Sequence, residues 1–197
     1  MRRSLVVSLL LGLSIMAARV VRAEALAAGD SVRDFSLPNY DGARYSLSQY
    51  RDKKAVVVMF IAAKCPVSND YDARMVDLAR TYGPKGVQFL GIDSNRDESA
   101  DEIASDARQH GFPFPVLRDE VNIVADQFGA MRTPEVYVIS PARIILYHGR
   151  IDDDQDAARV HERDLKSALD AVLVGRPVPR PETRAFGCTI KRDSPRP

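Results

Sequence analysis

The run AVVVMFI at 55–61 is apolar at every position, without the alternation of polar residues that a half-exposed strand shows. It is too short to cross a membrane, so it predicts a strand buried on both faces. The run stops before Lys64-Cys65-Pro66. Beyond that point Tyr71, Met75 and Leu78 recur at helical spacing. The pattern therefore predicts a central strand that gives way to a helix at Cys65.

Weaker patterns on either side of this stretch predict the remaining elements. Alternating apolar positions around the turn residues 39–42 predict a hairpin within 31–50. Further on, short apolar runs alternate with stretches of helical periodicity. The apolar runs predict strands at 87–92, 133–139 and 143–149, and a further apolar segment lies at 114–117. The helical periodicity predicts helices at 100–110, 122–128 and 164–174. This alternation is typical of an α/β fold with a parallel sheet, and the short turn at Ser140-Pro141 makes the last two strands an antiparallel pair.

The two ends of the chain differ from this pattern. Residues 1–23 combine Arg2 and Arg3 with an apolar run and a small-residue end at Ala23, which predicts a signal peptide and a periplasmic or extracellular protein. Arg19 and Arg22 interrupt the run before it reaches the ~20 residues that a membrane span needs, so no stable membrane anchor is expected. The two N-terminal arginines do not distinguish the general export route from the twin-arginine route.

Charge and length limit the possible functions. The whole chain has 28 basic and 27 acidic residues, and removal of the four arginines in residues 1–23 leaves 24 − 27 = −3. No nucleic-acid partner is implied by that balance. Residues 27–175 are long enough for one domain with a substantial core, and 176–197 form a Pro- and Arg-rich tail.

Cys65 is the main candidate for chemistry. A helix N-terminus stabilises a thiolate, and Lys64 adds positive charge, so we expect a lowered pKa for this thiol. Ser68 could turn its hydroxyl back towards the sulfur. The alternative is that Cys65 is a small, inert buried side chain.

No metal or other cofactor is predicted. His148 and the acids at 152–154 could resemble a metal site, but acids that follow a strand more often form a solvated loop. The other two histidines, His110 and His161, are remote from His148 in sequence.

Taken together, these elements resemble a known fold and family. The order strand, Cys-Pro, helix, strand, helix, Thr-Pro, strand, strand, helix is similar to the thioredoxin fold. The segment DFSLPNYDGARYSLSQYRDKKAVVVMF resembles the N-terminal hairpin extension of AhpC/TSA redoxins. The motifs FIAAKCPVSNDYDARM, MRTPEVYVI, YHGRIDD and GCTIK are together similar to a peroxiredoxin-like group of exported redoxins, over about residues 29–175.

The resemblance assigns roles to particular residues. Cys65 takes the place of the first cysteine of a thioredoxin CxxC motif, and Ser68 takes the place of the second. Thr133-Pro134 matches the cis-proline loop, so we expect Pro134 to be cis and to lie against Cys65. Met59 stands where thioredoxins bury an aspartate.

The chain also departs from the peroxiredoxins. These enzymes carry Pro and Thr ahead of the peroxide-reacting cysteine in a PxxxTxxC arrangement, and the corresponding positions before Cys65 are Val58 and Ala62. Arg132 lies near, but ahead of, the position where they carry an arginine.

The tail contains the second cysteine, Cys188, beside the apolar residues of 185–187. An oxidising compartment and this apolar island predict that the tail folds back, with Phe186 as its contact and a Cys65–Cys188 disulfide. An extended chain rises about 3.3 Å per residue, so the residues after Gly175 can cross the domain.

Two functional hypotheses follow. In the first, the protein is a thiol-dependent oxidoreductase that acts on protein thiols and disulfides or on small peroxides. Cys65 is the nucleophile, and Cys188 or an outside thiol resolves the product. An external thiol reductant then returns the protein to its reduced form. In the second, it is a non-catalytic binding module with a permanent Cys65–Cys188 bond.

Overall fold

The computed structural model describes residues 25–192, and the predicted signal peptide lies outside this range. Nine strands and five α-helices are present among the described residues. The strands are β1 Ser36–Pro38, β2 Arg44–Ser46, β3 Ala55–Ile61, β4 Val87–Asp93, β5 Val116–Arg118, β6 Arg132–Thr133, β7 Glu135–Ile139, β8 Ile145–Gly149 and β9 Cys188–Thr189. The helices are α1 Pro66–Asn69, α2 Asp72–Tyr82, α3 Ala100–His110, α4 Ile123–Phe128 and α5 Asp164–Leu173.

The central sheet has five strands in the order β5-β4-β3-β7-β8. Strands β5, β4 and β3 are parallel, while β7 and β8 are antiparallel to their neighbours. All seven residues of β3 are buried, as its unbroken apolar pattern predicts. The α/β class and the thioredoxin fold, with a mixed sheet flanked by helices, are confirmed.

Alternate residues of β3 pack into separate halves of the core. Val57, Met59 and Ile61 contact one group of buried residues, which includes side chains of α2 and α5. Val58 and Phe60 contact the other group, which includes α4. Both layers hold β3 in place, so its carboxyl end is a rigid support for the segment that carries Cys65.

The N-terminal hairpin is confirmed but is shorter than predicted. β1 and β2 pair antiparallel across a turn at 39–42, and 47–50 form a 3₁₀ turn instead of extending the second strand. Ser46 and Gln49 form a capping box that begins this turn.

The predicted strand at 133–139 is in fact two strands that face different partners. β7 pairs with β3 and β8 in the main sheet, while β6 pairs with β9 of the tail. Pro134 separates them because it has no backbone N–H to give to a ladder.

The tail is more ordered than its composition predicts. Backbone hydrogen bonds join His148 to Pro181 and Thr183, so the tail first follows β8. Ile190, which lies outside the apolar island predicted at 185–188, is only 3% exposed. The tail therefore has no core of its own but packs this residue against the core of the domain. Within 25–192, no helix combines the length and apolar character needed to cross a bilayer.

Candidate active site

Cys65 lies where the sequence places it, between the central strand and a helix. It is the N-cap residue of α1, with Pro66 in the first helical position. The backbone N–H of Ser68 lies 3.3 Å from Sγ of Cys65. Because free N–H groups at a helix start stabilise negative charge, this position favours a thiolate whenever the sulfur is reduced.

The expected disulfide joins Cys65 to Cys188. The two Cα atoms are 6.0 Å apart, and the cysteines are 123 residues apart in sequence. Cys188 belongs to β9, which pairs antiparallel with β6 so that Cys188 lies opposite Thr133. The tail therefore reaches Cys65 as an extended strand.

The Thr133–Pro134 peptide bond is cis, as the resemblance implies. The carbonyl oxygen of Thr133 lies 3.4 Å from Sγ of Cys65. The structure therefore brings Cys65, Ser68, Thr133, Pro134 and Cys188 together.

Phe186 and Gly187 fit the tail to this surface. The Phe186 ring lies edge-on to Tyr71, with ring centroids 6.2 Å apart, which confirms the expected apolar contact. Gly187 has φ +140°, and a Cβ atom there would overlap the carbonyl oxygen of Thr133 and lie 2.9 Å from its carbon. Only glycine allows β9 to approach β6 this closely.

We expect Gly187→Ala to loosen the tail. The added methyl would push β9 away from Thr133, so the variant should lose about 2 kcal/mol of stability in urea denaturation of the oxidised protein. Glutathione should also reduce its disulfide faster. Gly175→Ala is the matched control, because Gly175 also has a positive φ of +68° but nothing lies within 4 Å of its added Cβ. Equal losses in the two variants would contradict the close-contact explanation.

Two predicted contacts around Cys65 differ in the structure. The hydroxyl of Ser68 accepts a hydrogen bond from the Ala62 amide at 3.3 Å, so the amide of Ser68, and not its hydroxyl, faces the sulfur. The ammonium of Lys64 lies 3.0 Å from a carboxylate oxygen of Glu102, and this hydrogen bond raises the pKa of Lys64. Lys64 therefore forms an ion pair with Glu102. Its predicted effect on the pKa of Cys65 stays a prediction.

A buried pair of carboxyl groups, which no pattern in the sequence indicates, supports the segment before Cys65. Glu98 accepts hydrogen bonds from the amides of Ala63 at 2.6 Å and Lys64 at 3.1 Å. Asp93, at the end of β4, is 2% exposed. Burial, a hydrogen bond with Glu98 and the charge of Glu98 raise the pKa of Asp93 well above its ordinary value. Asp93 therefore keeps its proton to a higher pH than an exposed aspartic acid does.

This pair predicts a pH dependence of stability. The folded protein holds the Asp93 proton to higher pH than the unfolded chain does. The contribution of the protonated Asp93 to stability is therefore full below about pH 4, and it is lost as pH rises through the raised pKa. Asp93→Asn keeps a neutral group there and should become more stable, relative to the unchanged protein, as pH rises from 4 to neutrality.

Urea denaturation at several pH values checks this expectation, with the exposed Asp77→Asn as control. A difference between Asp93→Asn and the unchanged protein that stays constant with pH would contradict it.

A second network joins the tail to the residue after Pro134. Nε2 of His148 lies 2.8 Å from Glu135, and Nδ1 lies 3.1 Å from Glu182 in the tail. Burial alone would raise the pKa of Glu135, but hydrogen bonds from His148 and from the Met131 and Arg132 amides lower it. His148 thus bridges two glutamates.

The acids that follow His148 were expected to form a solvated loop, but one of them is buried. Asp152 is 3% exposed and pairs with Arg74 at 2.8 Å. Arg74 stacks over the Tyr71 ring at 3.6 Å, and that ring contacts Phe186. The loop after β8 is therefore linked through Arg74 and Tyr71 to the tail.

Comparison with known proteins agrees with this geometry. Residues 28–148 match the model of the AhpC/TSA family. A putative peroxiredoxin of Mycobacterium tuberculosis is 26% identical over 129 residues, covering 66% of this chain and 80% of that protein.

Two solved structures are similar over most of the chain. An uncharacterised conserved protein of Geobacillus kaustophilus is 34% identical, with a TM-score of 0.79, over 85% of this chain and 94% of that one. A hypothetical protein of Sinorhizobium meliloti is 29% identical, with a TM-score of 0.81, over 87% and 98%.

Proposed function

Because the chain belongs to the AhpC/TSA family, we propose that it is a thiol–disulfide oxidoreductase in which Cys65 is the nucleophile and Cys188 the resolving cysteine. One observation carries the proposal. The Cys65–Cys188 bond lies at a helix N-terminus and against a cis-proline loop, with Cys188 on a short strand paired to that loop. A bond used only as a staple would not need this placement.

The proposed reaction has two exchange steps. The Cys65 thiolate attacks one sulfur of a substrate disulfide, forms a mixed disulfide and releases the other substrate sulfur as a thiolate. The Cys188 thiolate then attacks Sγ of Cys65, forms the Cys65–Cys188 bond and releases the second substrate thiolate. The substrate gains two electrons, and an external dithiol returns two electrons to the protein.

The tail strand suggests how a substrate binds. β9 hydrogen-bonds to β6 with Cys188 opposite Thr133, which is the arrangement an extended substrate segment would take. The tail must leave β6 before a polypeptide substrate can pair there. Reduction of the Cys65–Cys188 bond removes the covalent link and leaves β9 held by its pairing with β6 and by the hydrogen bonds and packing of the residues that follow it, so reduction would favour this exchange.

The buried carboxyl pair supports the segment that carries the nucleophile, whereas Met59 occupies the place of the usual buried aspartate. Glu98 contacts the amides of both residues that precede Cys65 and has Asp93 behind it. We assign the pair a positioning role, because Glu98 fixes the backbone of the two residues that precede Cys65.

Peroxide reduction is a second candidate, because the curated relative is a putative peroxiredoxin. Here the Cys65 thiolate would attack a hydroperoxide and give a sulfenic acid and an alcohol, and the Cys188 thiol would then form the disulfide and release water. Disulfide exchange is favoured because Val58 and Ala62 replace the Pro and Thr of a peroxidatic motif. Arg132 also directs its guanidinium to the tail, at 2.9 Å from the Thr189 hydroxyl.

The N-terminal sequence extends the proposal to location. The apolar run and small-residue end of 1–23 support export, and we place the mature protein in the periplasm or outside the cell. An oxidising compartment would supply the disulfide substrates that this chemistry requires.

Paired turnover assays test the function. Reduction of insulin disulfides and of an alkyl hydroperoxide, each with dithiothreitol as donor, should show disulfide turnover that is at least about tenfold faster. Cys65→Ser should remove it. Faster peroxide turnover would favour the second candidate, and no turnover of either substrate would favour the binding module with a permanent disulfide.

A further inference from the structure

Three side chains with metal-binding chemistry meet between α2 and α3. Asp106 and His110 lie four residues apart on α3 and so share one face of the helix. Asp72 lies in the first turn of α2. Nδ1 of His110 is 3.1 Å from Oδ2 of Asp72, and Nε2 is 3.5 Å from Oδ1 of Asp106. One ligand atom from each residue lies within 4.8 Å of the other two.

The Asp72 carboxylate gives an independent indication of a bound cation. Asp72 is only 4% exposed, and its Oδ2 has no hydrogen-bond partner. The nearby His110 nitrogen lies close enough for an ion pair but not in hydrogen-bonding geometry. A buried carboxylate oxygen without a donor is costly, so it calls for a positive partner.

The surrounding charges point the same way. Two carboxylates and one imidazole share this partly enclosed space, and a divalent cation would neutralise the two acids more fully than the imidazole alone.

We propose that Asp72, Asp106 and His110 bind a divalent first-row transition-metal ion. One imidazole nitrogen with two carboxylate oxygens is a donor set that suits Zn²⁺, Mn²⁺ or Fe²⁺, and three protein ligands leave a position for water. The imidazole makes Mg²⁺ and Ca²⁺ poorer matches, because these ions prefer oxygen alone. No cysteine takes part, so the site is independent of the proposed thiol chemistry.

The ion would join two helices that the redox site depends on. Asp72 directly follows Tyr71, which packs against Phe186 of the tail. Glu98, which supports the segment before Cys65, precedes α3. A cation between α2 and α3 would therefore hold both supports of the Cys65 region in place.

Direct observation of the imidazoles provides the test, because the chain has only three histidines. The untagged chain, oxidised so that Cys65 and Cys188 cannot bind metal, is labelled with ¹⁵N-histidine, freed of metal with EDTA and titrated with ZnCl₂. The ring resonances of His110 should shift to the pattern of a metal-bound imidazole, while those of His148 and His161 stay. Calorimetry should give one Zn²⁺ per chain, with Kd about 10 µM or tighter.

Matched variants separate the site from adventitious binding. His110→Asn and Asp106→Asn should each weaken Zn²⁺ binding at least about tenfold, whereas the exposed His161→Asn should leave it unchanged. Unshifted His110 resonances, or equal weakening by His161→Asn, would overturn the proposal and leave a simple histidine–carboxylate ion pair. The resonance test uses the unchanged protein, so it decides the question even where a variant folds poorly.

Discussion

Cys188→Ser is expected to accumulate a mixed disulfide between Cys65 and its substrate. The variant keeps the nucleophile but loses the thiol that resolves the intermediate, so the first exchange step proceeds and the second does not. Incubation of the reduced variant with an oxidised peptide should give a covalent adduct on most chains, seen by non-reducing mass spectrometry. Turnover should fall by about a hundredfold or more.

The controls for this experiment follow from the same geometry. Cys65→Ser should form no adduct, and the unchanged protein should form one only briefly. Thr189→Ser changes the neighbour of Cys188 in the same strand without removing a thiol, and it should behave like the unchanged protein. A stable adduct on Cys188 in the Cys65→Ser variant, with none in Cys188→Ser, would show that the roles of the two cysteines are reversed.

The second large effect is on stability. The Cys65–Cys188 bond closes a loop of 123 residues, and loop-closure entropy assigns such a bond up to about 5 kcal/mol. Urea denaturation should therefore give a much lower midpoint for the reduced protein than for the oxidised protein, and a steeper slope, because the unfolded chain without the cross-link exposes more surface. The cycle would thus alternate between a more stable and a less stable form.

Cys188→Ser under reducing conditions is the control for this measurement. It should match the reduced unchanged protein to within about 1 kcal/mol, because both lack the cross-link. A loss in the variant that greatly exceeds the loss on reduction would mean that Cys188 acts through packing and not through the bond.

The sequence predicted those parts of the fold and site that depend on neighbours along the chain. The apolar run of β3 and the Lys-Cys-Pro stop are local features, so both the central strand and the position of Cys65 at a helix start could be inferred. The Thr-Pro pair at a strand start is equally local, and with the family resemblance it located the cis bond.

Several features that arise from packing were not predicted. Glu98 is 33 residues from Cys65 and Asp72 is 38 from His110, so only the folded chain brings either pair together. The tail is a partial exception, because the Phe186 contact and the Cys65–Cys188 bond were predicted, whereas the burial of Ile190 against a core formed by other residues was not.

The direct test of the redox role is a titration of the disulfide itself. The oxidised protein is equilibrated with graded mixtures of reduced and oxidised glutathione and quenched with an alkylating agent. Mass spectrometry then gives the fraction of Cys65 and of Cys188 that carries a free thiol. A working redox bond should open and close reversibly, with a midpoint between about −120 and −270 mV, the range of known thiol oxidoreductases. A bond that stays closed in buffers near −300 mV would be a permanent staple and would contradict the proposed function.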